Sequence, residues 1–134
     1  MKNAVIILFV LINHISLSNA TTPDSSDTGF VKEKISISGI EKGPIDKSVL
    51  LSSKGLAFQD SSAKLFKIIG FKLSIFIKNK DLIELDTKSS ELSSEMINAI
   101  KSAPPGTKMF FEYIRCIDNS GVNRAVLPTQ FTLK

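Results

Sequence analysis

The chain has 134 residues, 17 Lys and Arg against 13 Asp and Glu, one His, one Cys and no Trp. One cysteine and one histidine exclude an internal disulfide and a Cys/His zinc site of the usual pattern. The formal net charge of +4 comes almost wholly from scattered lysines, with Arg115 and Arg124 the only arginines. That spread lacks the basic stripe with interleaved aromatics that nucleic-acid binding uses, so nucleic acid is not an expected partner.

Residues 1–20 read as a secretory signal peptide. Lys2 is the positive n-region, Ala4 to Ile12 an unbroken apolar run, and Ser18-Asn19-Ala20 a small-x-small cleavage site. The apolar run is shorter than the roughly 20 residues that span a membrane. Cleavage removes Lys2 and His14, lowers the net charge by one and leaves no membrane-inserted segment. Residues 21–30, opening TTPDSSDT, are polar and read as a flexible leader. Residues 31–134 form one domain, long enough to bury a core without crosslinks or metal.

The domain reads as mainly β. Lys34 to Ile40 alternates with period two, as a half-buried strand does, and Glu41-Lys42-Gly43-Pro44 reads as a turn. Ser48 to Ser52 and Leu56 to Gln59 read as short strands about a turn at Ser53-Lys54-Gly55, and Gln59 to Ser62 as a loop. Lys64 to Lys78 is the longest strand. Its Phe71, Leu73, Ile75 and Ile77 share one face, and Lys72, Ser74, Phe76 and Lys78 the other. The adjacent Ile68 and Ile69 break the alternation and predict a bend or bulge at Gly70. Asn79-Lys80-Asp81 turns the chain into a strand over Leu82 to Asp86.

One helix is expected after Leu92. Ser93 is its N-cap, Glu95 lies in its first turn, and Met96, Ile97 and Ile100 make its apolar stripe. Pro104-Pro105-Gly106 stops it. Lys108 to Ile117 then reads as a strand, Asp118 to Gly121 as a turn, Val122 to Leu127 as the returning strand, and Gln130 to Leu133 as the last. Pro128 marks an edge or a crossing point. About seven short strands and one short helix indicate an immunoglobulin-like β-sandwich, without the Cys pair and Trp of antibody domains.

The search for chemistry finds little. No histidine remains after cleavage to serve as base for a Ser or Cys nucleophile. Glu84, Asp86, Glu91 and Glu95 lie close in sequence but in polar surroundings that do not suit an acid/base role. No calcium loop or phosphate-cradling Gly-rich loop is present. Glu112 is the odd carboxylate, inside an apolar strand. It is expected to face solvent, or else to pair with Arg124, and Arg115 and Arg124 stand where they would meet Glu112 or Asp118 across strands. Cys116 lies in the same apolar stretch and reads as a buried small hydrophobe, with an exposed thiol forming an intermolecular disulfide as the alternative. No catalytic, cofactor-binding or metal-binding residue is assigned, and no cofactor is expected.

The stretch Leu92-Ser-Ser-Glu-Met-Ile-Asn-Ala-Ile100, the strand Gly106-Thr-Lys-Met-Phe-Phe-Glu-Tyr-Ile114, the turn Asn119-Ser-Gly121 and then Arg124 occur in order. Upstream stands Phe66-Lys-Ile-Ile-Gly-Phe71-Lys-Leu-Ser-Ile75. This series resembles the C-terminal domain of the gliding-motility protein GldM over about residues 66–134. The resemblance implies a periplasmic β-sandwich that works by protein contact in gliding motility and type IX secretion of Bacteroidetes-type bacteria. The chain departs from that family in carrying a cleavable signal in place of a membrane anchor, in Pro104-Pro105 and in Cys116. The expectation is therefore an exported, non-enzymatic protein-interaction module of the periplasm or outer membrane, its partner an envelope protein. The alternatives are a carrier of a small apolar ligand or glycan, with Phe66, Phe71, Phe76, Phe110 and Phe111 lining its pocket, and a hydrolase using carboxylates, Ser or Lys.

Overall fold

The computed structural model describes residues 30–59 and 64–134. The segment read as a signal peptide, nearly all of the expected polar leader and the end of the loop after Gln59 lie outside the described residues. Nine strands and two helices follow in the order β1 (Phe30–Val31), β2 (Ile35–Ser36), β3 (Gly43–Ile45), α1 (Lys47–Ser52), β4 (Ala57–Phe58), β5 (Phe66–Phe76), β6 (Ile83–Thr87), α2 (Ser94–Ser102), β7 (Lys108–Asp118), β8 (Asn123–Val126) and β9 (Thr129–Leu133). The fold is mainly β. A curled seven-stranded sheet and a two-stranded sheet give a layout compatible with a β-sandwich.

The large sheet is organised around β5 and β7, eleven residues each and antiparallel. β6 pairs with the second half of β5. The other side of β7 is shared. Its first half, Lys108 to Phe111, pairs with β9, and its second half, Ile114 to Ile117, pairs with β8. Leu127 and Pro128 connect β8 to β9 at that break, so Pro128 marks a crossing between two stretches of one partner strand. β1 and β3 close the sheet by parallel pairing with β8 and β9.

Both long strands carry a bulge at the same level. Between the pairs Ile68↔Cys116 and Gly70↔Arg115, β5 has one extra residue; between Gly70↔Arg115 and Lys72↔Glu112, β7 has one extra. The inward-facing set shifts parity in both strands. It runs from Ile68 to Phe71, Leu73 and Ile75 in β5, and from Met109 and Phe111 to Ile114 and Cys116 in β7. The irregularity expected at Gly70 is present. Its counterpart, with Tyr113 at φ 49°, was not foreseen.

These inward side chains form one cluster with Ile35, Ile37, Ile45, Leu50, Phe58, Met96, Ile100, Phe131 and Leu133. The two helices and the β2–β4 sheet therefore contribute to the same core as the large sheet. Burying Met96 and Ile100 contributes about 1.5–3 kcal/mol each, which a nine-residue helix needs because it is not stable alone. Ser93 caps α2 as expected, its Oγ accepting from the Met96 amide at 3.2 Å.

Three local expectations fail for identifiable reasons. Ser48 to Ser52 is helical rather than extended, which makes two helices among the described residues instead of one. A three-residue apolar run carries no period that separates helix from strand. The helix buries Leu50, and Lys47 donates to the carbonyls of Lys101 (3.1 Å) and Ala103 at the end of α2. Gly43 to Ile45 is a strand and not part of a turn; Pro44 is tolerated because β3 pairs on one side only, with β9. The strand expected over Lys34 to Ile40 is cut short by a two-residue turn at Ser38 and Gly39, closed by reciprocal hydrogen bonds between Ile37 and Ile40 at 2.9 Å. Nine strands result among the described residues where about seven were expected.

Candidate interaction face

The face of the large sheet opposite the core is built by β6, β5 and β7. Strand alternation turns Lys72, Ser74 and Phe76 outward on β5, since Phe71, Leu73 and Ile75 are buried. The register sets Ser74 beside Phe110 and Glu84, and Lys72 beside Glu112 and Asp86. Phe76 and Phe110 meet edge to face, with centroids 5.2 Å apart and planes at 79°. Phe76 is 46% exposed, Leu82 45% and Tyr113 73%. With Ser74 and Glu112 these residues wall an open cleft of about 350 Å3.

The polar groups of the face are partly paired. The Lys72 ammonium lies 3.6 Å from Glu84 Oε1 and 5.3 Å from the centre of the Tyr113 ring. Ser74, itself buried, donates from Oγ to Glu112 Oε2 at 2.9 Å. Glu112 thus lies on the outer side of the sheet and its partner is a serine, not Arg124. Arg124 instead places Nε 3.3 Å from Asp118 Oδ2.

Asp118 organises the turn after β7. Its Oδ1 accepts from the amides of Ser120 at 2.8 Å and Val122 at 3.0 Å. The Val122 amide first, then that of Ser120 and the Arg124 side chain, hold the carboxyl below the ordinary aspartate range, against an opposing desolvation. Cys116 is buried, as expected, and burial pushes its thiol pKa up, with Asp118 adding to the rise. Neither group has the environment of a nucleophile.

The remaining candidates do not converge. Glu84, Asp86, Glu91 and Glu95 are all exposed, and Glu84 is engaged by Lys72. Among the described residues, no group of three or more His, Cys, Asp or Glu side chains is placed to hold a metal ion. No helix among them is long and apolar enough to cross a membrane. The five phenylalanines considered for a ligand pocket do not share one. Phe71 and Phe111 are core, the latter packed edge to face on Phe131. Phe66 packs on Phe58 beside a separate open cleft of about 430 Å3, and Phe76 and Phe110 belong to the outer face.

Sequence reasoning placed Lys72 on the outer side of β5 and missed Tyr113 as a member of the face. A signal for Tyr113 was available. In Met109-Phe110-Phe111-Glu112-Tyr113-Ile114 no strict alternation buries every apolar residue, so a bulge and an outward aromatic are implied. No protein-family model and no curated protein matches the chain.

Proposed function

We propose that the chain is an exported, non-enzymatic protein-interaction module of the cell envelope, and that it contacts its partner through the outer face of β5, β6 and β7. The observation that carries this reading is the Phe76–Phe110 pair, Phe76 exposed and Phe110 half-buried, beside the exposed Tyr113. Aromatic side chains gathered on an open sheet face are what protein interfaces use as anchors. The signal-peptide pattern over residues 1–20 supports export. The resemblance to the GldM C-terminal domain supports action by contact. It directs the search for the partner to outer-membrane-associated components of gliding and type IX secretion.

The test is site-specific photocrosslinking of the full chain in its native envelope. A photoreactive phenylalanine at Tyr113 is expected to give a discrete adduct that the same residue at Ser48, exposed on α1, does not give. Adducts of equal yield from both positions, or from neither, overturn the assignment of the face. N-terminal sequencing of the exported product is expected to begin near Thr21; a retained N-terminus overturns the export reading.

A further inference from the structure

The outer face contains a carboxylate with spare capacity. Glu112 is half-buried, and its Oε2 is held by the Ser74 hydroxyl. Among the described residues Oε1 takes no hydrogen bond and no cation pairs with the group. The register puts Lys72 directly across from it on β5, yet the Lys72 ammonium is drawn to Glu84 and to the Tyr113 ring. Lys72 and Glu84 cancel, so Glu112 leaves the cleft net negative on a chain whose formal net charge is positive.

The apolar walls of the cleft that holds this carboxylate are Phe76, Leu82, Phe110 and Tyr113. Tyr113 is presented there by a left-handed backbone (φ 49°), an uncommon conformation for a bulky side chain. An anion set among aromatic side chains suits a cation carried on an apolar stem. The carboxylate supplies a charge-assisted hydrogen bond, the rings attract the cation, and the apolar walls cover the methylenes.

We propose that this cleft receives a lysine or arginine side chain of the partner polypeptide, with Glu112 as its counter-ion and Ser74 as the residue that positions the carboxylate. The assignment rests on the reading of the chain as an interaction module and names the chemistry that the partner must present. Complementary charge selects the occupant: a neutral apolar segment would bury the Glu112 charge without a counter-ion, at a cost that a basic side chain removes.

The emission of Tyr113 reports on the cleft directly, because it is the only Tyr in a chain without Trp. The probes are acetyl-Leu-Lys-Leu-amide, acetyl-Leu-Gln-Leu-amide and n-butylamine, titrated into the exported protein. The lysyl peptide is expected to bind about tenfold more tightly than the glutaminyl peptide, in line with a hydrogen bond between charged groups. Glu112→Gln is expected to abolish that preference while leaving the melting temperature within a few degrees. Lys72→Gln, which removes the competing cation, is expected to tighten lysyl binding. Equal binding of the two peptides, or an unchanged preference in Glu112→Gln, overturns the proposal. Equal binding of n-butylamine overturns a polypeptide as the source of the cation. A discrete envelope adduct at Tyr113 together with equal peptide binding sinks the subsite and leaves the module standing; lysyl selectivity without an adduct does the reverse.

Discussion

Asp118 and Arg124 face each other across the turn between β7 and β8, Nε to Oδ2 at 3.3 Å, while Asp118 Oδ1 holds two amides of that turn. One carboxylate therefore closes the hairpin in two directions at once. Its pKa is lowered in the folded state, so its stabilisation is complete above the ordinary aspartate value, about 3.9, and is lost as pH falls through the folded value. The urea midpoint of the wild type is expected to fall more steeply below about pH 4 than that of Asp118→Asn. Parallel curves from pH 6 to pH 2.5 would refute this.

Gly55 is a steric requirement as well as a conformational one. Its φ is +93°, and an added Cβ would lie 2.0 Å from the carbonyl oxygen of Ser90 and 2.7 Å from Glu91 Cα. That approach lets the Leu56 amide donate to Ser90 at 2.9 Å. Gly39 has a similar φ of +83° with nothing near its Cβ position. Gly39→Ala is expected to cost about 1 kcal/mol, and Gly55→Ala roughly 3 kcal/mol, since overpacking adds to the left-handed penalty. Equal urea midpoints for the two variants would remove the steric argument.

The ends of α2 are stabilised by different devices. Ser93 caps the N-terminus from within the chain segment, and Lys47 caps the C-terminal carbonyls from α1, 54 positions before Lys101. Ser93→Ala is expected to cost about 1 kcal/mol and Lys47→Met about 0.5 kcal/mol. Raising salt is expected to shrink the Lys47 effect and leave the Ser93 effect in place, as read by urea unfolding at two ionic strengths.

Cys116 is buried near the C-terminal end of β7 and its thiol is raised in pKa by that burial. A disulfide reagent such as DTNB is expected to leave it unmodified in the native protein and to titrate one thiol in urea. The protein is expected to run as a monomer on a non-reducing gel. Rapid native labelling would show that β7 opens locally.

Legibility from sequence followed the amount of independent signal in each segment. β5 and β7 are long, strongly β-prone and flanked by turns. α2 combines a cap, a first-turn acid, an apolar stripe and a stop. All three were readable. α1, β3 and the break at Ser38-Gly39 were not, because Val49-Leu50-Leu51 has no period and because parallel pairing of β3 with β9 joins residues some 88 positions apart. The turn pair Asp118–Arg124 was foreseen as one of several combinations. The outer face was half legible: Lys72, Ser74 and Phe76 follow from alternation in β5. Tyr113 depends on a bulge whose place is set by the partner strand.

The two bulges, one in each long strand, cancel. Each seats two residues against one of the partner strand, so the inward pairs on either side, Ile68 with Cys116 and Leu73 with Phe111, still face the core together. Each long strand thus carries one residue more than strict alternation allows, and no core side chain is turned toward water. The outward aromatic at position 113 is the visible remainder of that subtraction.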